Sequence, residues 1–69
     1  MDAEILESRT IENVTVRIVR DIHRKVVRLW VETVLDGKLV RSSCFGDDGD
    51  MARRAMKIEI DWANGVDND

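Results

Sequence analysis

The dipeptide Asp36-Gly37 stands between two runs that read as strands, Lys25-Val26-Val27-Arg28-Leu29-Trp30-Val31-Glu32-Thr33-Val34-Leu35 and Lys38-Leu39-Val40-Arg41-Ser42-Ser43-Cys44-Phe45. A two-residue link between antiparallel strands favours a type I′ turn. Both central residues then need positive φ, which Asp and Gly tolerate well. The segment is therefore a β-hairpin, and the remaining chain reads as additions to it.

Upstream, Val14, Val16 and Ile18 alternate with Thr15, Arg17 and Val19, the period of a strand rich in β-branched residues. Asp21-Ile22-His23-Arg24 provides a polar connection to the central strand. No proline interrupts these runs, so the central strand can pair on both sides. After Phe45 the texture changes. Gly46-Asp47-Asp48-Gly49-Asp50 reads as a loop with Asp47 as N-cap and Asp50 three residues on. Met51, Ala55, Ile58, Trp62 and Val66 then recur at helical spacing, with Ala52, Met56 and Ala63 beside them, as the stripe expected to cover the sheet. Asn64-Gly65 supplies a stop, with Gly65 suited to a left-handed C′ position. Residues 1–10 leave three readings open: frayed tail, helical turn or extra edge strand.

The expected fold is α+β, a single small domain over residues 1–69. A three-stranded antiparallel meander, strands about 14–20, 26–35 and 38–45, precedes one helix, about 48–64, packed on one sheet face. Residues 1–10 and 66–69 are expected as loose ends, with an extra N-terminal strand or short helix as the alternative.

A chain of 69 residues allows one modest core. At this size only about 60% of the unfolded surface is buried, so stability is marginal without oligomerisation. Cys44 is the single cysteine, which excludes an internal disulfide and points to a reducing cytosol. The acidic start lacks the basic and apolar regions of a signal peptide, and no apolar run approaches the roughly 20 residues of a membrane span. A cytoplasmic protein is expected. Charge is uneven: residues 1–16 carry −3, residues 17–41 carry +4 and residues 42–69 carry −4.

Alternation divides the sheet into two faces. One carries Val14, Val16, Ile18, Val27, Leu29, Val31, Thr33, Leu35, Val40, Ser42 and Cys44, and is the face the helix should cover. The other carries Thr15, Arg17, Val19, Val26, Arg28, Trp30, Glu32, Val34, Leu39, Arg41, Ser43 and Phe45. The Asp-Gly register places Trp30 opposite Ser43, Glu32 opposite Arg41 and Val34 opposite Leu39. One helix cannot cover both faces, and Trp and Arg are preferred interface anchors. Arg17, Arg28, Trp30, Glu32, Val34, Leu39 and Arg41 are accordingly the candidate partner-binding residues.

Enzymatic chemistry finds little support. His23 is the only histidine and sits in an expected turn, without the companions a zinc site or catalytic base needs. Asp47, Asp48 and Asp50 lack the spacing of a calcium loop and are explained by helix capping. Cys44 falls on the expected core face, where a thiol is inert. No catalytic residue, metal or cofactor is expected. The partner is expected to be another protein, or a second copy that buries the outer face as a homodimer. A basic sheet with an aromatic could also stack bases. Low aromatic content and negative net charge rank nucleic acid below protein as the partner.

Val31-Glu32-Thr33-Val34-Leu35-Asp36-Gly37-Lys38-Leu39-Val40, followed by Phe45, resembles the hairpin of small phage-encoded anti-CRISPR proteins that act on type I-F systems. The matching positions include Val31, Glu32, Val34, Gly37, Lys38, Val40 and Phe45, and span about twenty residues. The resemblance implies an antiparallel sheet with helical decoration. It also implies a non-enzymatic inhibitor in a host cytosol that occludes a surface of a defence complex. Glu32 matches a contact residue of that family. Tyrosines that contribute to the contact surface there have no counterpart here, which leaves Arg17, Arg28 and Trp30 to supply it.

Overall fold

A computed structural model describes residues 3–65. Four strands, β1 (Glu4–Ile11), β2 (Val14–His23), β3 (Val26–Leu35) and β4 (Lys38–Cys44), form one antiparallel sheet in the order β1-β2-β3-β4. Helix α1 (Gly49–Gly65) follows and packs on one face. The fold is α+β, with a fourth strand where residues 1–10 had left three readings open. Val66, expected at the end of the helical stripe, and the expected tail at 66–69 lie outside the described residues.

Three tight turns set the meander. At Asp36-Gly37 both φ values are positive, 52° and 81°, as the type I′ reading requires. The β2–β3 connection is shorter than the sequence suggested. Strand β2 runs on through Asp21, Ile22 and His23, leaving only Arg24-Lys25 to turn, at φ 52° and 66°. Two long side chains thus sit in the left-handed region, a conformation that costs about 1–2 kcal/mol per residue. At the opposite end, Asn13 Nδ2 donates to Asp36 Oδ1 at 2.8 Å and the Asp36 amide donates to the Asn13 carbonyl at 3.0 Å. The first and third turns are thereby locked together.

The core lies between α1 and one sheet face. Val14, Val16, Ile18, Leu29, Val31, Ala52, Met56 and Ala63 are buried, and Ile11, Leu35, Phe45, Ala55 and Ile60 pack at its margin. The helix is rotated from its expected setting. Ala52, Met56 and Ala63 face the sheet, whereas Met51, Ile58 and Trp62, expected there, remain exposed. The two small alanines let the helix backbone approach, and Met56 fills the remaining gap. Glu59 holds this rotation from below. Its Oε1 accepts from Thr33 Oγ1 on β3 at 2.8 Å and from Arg41 Nε on β4 at 2.7 Å. Thr33 is only 1% exposed, so Glu59 satisfies a hydroxyl that would otherwise be buried without a partner.

Capping differs by one residue from the expectation. Asp48, not Asp47, is the N-cap, accepting the Met51 amide on Oδ1 at 3.1 Å. Gly65 is still helical and has no positive φ, so it is not the left-handed cap its position suggested.

The Arg24-Lys25 turn supplies a stability test. Replacing the pair with Asn-Gly, which prefers type I′ geometry, should stabilise the fold by about 1 kcal/mol. The gain is less than the full strain because glycine also loses more conformational freedom on folding. The expected reading is a rise of several degrees in melting temperature; an unchanged or lower value would mean that these side chains repay the strain elsewhere.

Candidate protein-contact face

The outer face of the sheet is organised in rows, because paired residues of neighbouring strands stand side by side. Thr10, Thr15, Val34 and Leu39 form one row, and Ser8, Arg17, Glu32 and Ser42 the next. Ile5, Val19, Trp30 and Cys44 form an apolar row across all four strands. Asp21 and Arg28 close the pattern beyond it.

The sequence placed Arg41 in this face, opposite Glu32. The structure overturns that. The Val34↔Leu39 pair holds, but the register then shifts, so that Thr33 opposes Arg41, Glu32 opposes Ser42 and Trp30 opposes Cys44. Val40 is the extra residue of a β-bulge, and one extra residue exchanges the faces of everything after it. Arg41 and Ser43 therefore turn toward α1, while Ser42 and Cys44 turn outward. Cys44, expected in the core, is exposed. Arg41 lies over the Trp62 ring, 4.6 Å from its centroid, as well as bonding Glu59.

Six candidate residues remain on the outer face: Arg17, Arg28, Trp30, Glu32, Val34 and Leu39. Glu32 is engaged by Arg17 rather than Arg41, with Nε donating to Oε1 at 2.8 Å. Arg28 makes a two-pronged pair with Asp21, Nε to Oδ1 at 2.9 Å and Nη2 to Oδ2 at 2.8 Å. Its guanidinium also lies 5.2 Å from the Trp30 ring centroid. The two ion pairs bracket Val19 and Trp30 on either side. Asp21 was overlooked in the sequence because it seemed to belong to a turn. Only the continuation of β2 places it across from Arg28.

These contacts perturb two groups. Hydrogen bonds from Arg28 hold the Asp21 carboxyl below its usual range, against an opposing effect of desolvation. The same bonds raise the Arg28 guanidinium above its usual value. The Trp30 N–H adds to the lowering at Asp21. It nonetheless falls short of a well-formed bond, so its buried Nε1 has no hydrogen-bond partner among the described residues.

The rest of the surface offers little for chemistry. No group of three His, Cys, Asp or Glu side chains among the described residues could hold a metal ion. His23 is exposed at the end of β2. No described helix is long and apolar enough to cross a membrane. Compared with known protein families, curated proteins and solved structures, the chain matches none.

The Asp21–Arg28 pair predicts a pH dependence. A carboxyl with a lowered folded pKa contributes stability above its unfolded value, about 3.9, and loses it as pH falls through the lower folded value. Asp21→Asn should therefore melt below the wild type at neutral pH, and the two curves should converge on acidification below about pH 4. A constant offset down to strong acid would show that the charge pair is not the source.

Proposed function

We propose that this chain is a non-enzymatic protein-binding module whose contact surface is the uncovered face of the sheet. The row Ile5, Val19, Trp30 and Cys44 carries the reading. It runs unbroken from one sheet edge to the other, with no element among the described residues covering it. Leu39 and Val26, both exposed, extend the apolar surface along the same face. A tryptophan framed by paired charges resembles the centre of an interface, where an aromatic anchor is surrounded by polar groups with satisfied partners. Arg17 and Arg28 already bond carboxylates, so the face presents no unopposed cation row for phosphates. That favours a protein over a nucleic acid.

The specific form supported by the hairpin resemblance is an inhibitor that occludes a surface of a host defence complex, as anti-CRISPR proteins do. Glu32, the residue this resemblance nominates, stands in the row beside Trp30.

The test uses two variants at exposed ends of the apolar row, Ile5→Glu with Cys44→Asp, which leave Trp30 and both ion pairs intact. Immobilised wild-type protein should retain one partner from the cytosol of its own cell or host. The double variant should weaken that binding by roughly tenfold or more, while Lys57→Glu on the helix should not. Equal retention by all three proteins would sink the proposal. For the inhibitor form, micromolar protein should block target-DNA binding by a purified type I-F surveillance complex; undiminished DNA binding would remove that form alone.

A further inference from the structure

The sheet is open at both edges, and the two edges are not alike. An edge strand leaves half of its backbone N–H and C=O groups without a strand to pair with, a template for a further strand. Strand β4 is poorly suited to receive one. Its bulge at Val40 breaks the edge near the middle, and its only charges, Lys38 and Arg41, share one sign. Strand β1 is irregular only at Leu6, so its pairing runs without a break from Glu7 to Ile11. All of β1 but Ile11 is exposed.

The β1–β2 register fixes which groups point off the edge. Ile11 and Val14 flank the two-residue turn Glu12-Asn13 and therefore exchange both backbone hydrogen bonds. Alternation then directs the backbone groups of Arg9 and Glu7 to β2, and those of Ser8 and Thr10 away from the sheet. Side chains divide in the same alternation. Glu7 and Arg9, paired with Ile18 and Val16, lie on the helix side, and Ser8 and Thr10 on the outer face. Glu7 and Arg9 line an open cleft with Arg53, Lys57 and Asp61 of α1. Neither makes an ion pair there or with any other described residue.

We infer that the β1 edge pairs with β1 of a second copy of the chain, antiparallel about a two-fold axis at Ser8, joining the two four-stranded sheets into one. Backbone and charge select this occupant together. Ser8 points its N–H and C=O outward, so the two copies of Ser8 exchange both hydrogen bonds. On either side, Glu7 of one copy stands against Arg9 of the other. These are non-hydrogen-bonded positions, where facing Cα atoms lie about 4.5 Å apart and side chains come closest.

Charges on the inner face normally guard an edge, because a strand that pairs there must bury or oppose them. Opposite signs two residues apart lift that guard for this chain's own β1, and in this register alone. Centring the pair on Glu7 sets Glu7 against Glu7, and centring it on Arg9 sets Arg9 against Arg9. A slip to any intermediate register opposes the inner face of one sheet to the outer face of the other. The charges above the junction do not oppose the pairing. Arg53 lies 3.6 Å from Asp50, and Lys57 and Asp61 offset each other one turn apart.

The dimer leaves the outer face uncovered and continues it across both copies, so it stands whatever that face binds. It also differs from a homodimer that buries Trp30.

Sedimentation equilibrium of the full chain at about 500 μM and low ionic strength, where exposed charge pairs are least screened, should give twice the 7.9 kDa chain mass. Glu7→Arg and Arg9→Glu each replace two attractive pairs by two repulsive ones, and each should weaken association roughly tenfold or more. The charge-swapped double variant, Glu7→Arg with Arg9→Glu, restores both pairs and should recover the dimer. Ser8→Pro removes an outward N–H that β2 does not use, and should give a folded monomer. Circular dichroism should show every variant folded, since these side chains are exposed. A monomeric wild type overturns the inference. So does a dimer that survives Ser8→Pro or both single reversals, or a double variant no more associated than the single ones.

Discussion

One inserted residue, Val40, organises much of this molecule. A strand without it would carry Arg41 to the outer face beside Glu32 and Cys44 to the core. With the bulge, the strand changes faces after Leu39. Arg41 arrives under the helix, where it and Thr33 converge on the same oxygen of Glu59. Three elements are joined at one carboxylate. The arrangement satisfies a buried hydroxyl and a partly exposed guanidinium together, which a purely apolar contact could not do.

The rotation of α1 follows from the same point. Glu59 lies on the sheet side of the helix between Ala52, Met56 and Ala63, so drawing it down onto Thr33 and Arg41 brings those residues down with it. The larger side chains Ile58 and Trp62 are then carried to the flank. Trp62 is covered in part by Arg41, a contact that exists only because the bulge turned Arg41 inward. The exposure of Met51, Ile58 and Trp62 thus follows from polar pairing under the helix, not from weak amphipathicity.

These couplings explain where the sequence could be read and where it could not. The Asp36-Gly37 hairpin, the strand through Val14, Val16 and Ile18, and the helix after Asp50 were legible because each depends on neighbours within a few residues. Strand β1 was not, since Glu4–Ile11 lacks clean alternation and gains its identity from pairing with β2. The helical stripe was ambiguous for a different reason. Met51/Ala55/Ile58/Trp62 and Ala52/Met56/Ala63 are both regular, and size favours the first. What chose the second was Glu59 finding partners on two strands, a contact between residues 18 and 26 positions apart. For the contact face, Trp30, Arg28 and Glu32 were placed by alternation alone. Their partners Asp21 and Arg17 required the β2–β3 register, and Arg41 was misplaced because a bulge at Val40 has no glycine or proline to announce it.

The electrostatics of the outer face constrain how it could recognise a partner. Its two arginines and two acids cancel, so the net charge of −3 resides elsewhere on the chain. Long-range attraction would act on the acidic N-terminal region and on Asp47 and Asp48 before the helix rather than on this face, since α1 itself carries three acids and three bases. At close range the paired charges give little affinity, because each pair already has its bonds and would gain none by losing water. They would instead penalise any partner that failed to match them, since an unmatched group would disrupt Arg17–Glu32 or Asp21–Arg28. Affinity would then come from the apolar row and selectivity from the rows on either side. Trp30, half-buried in the apolar row with its ring beside Arg28, is where the two meet.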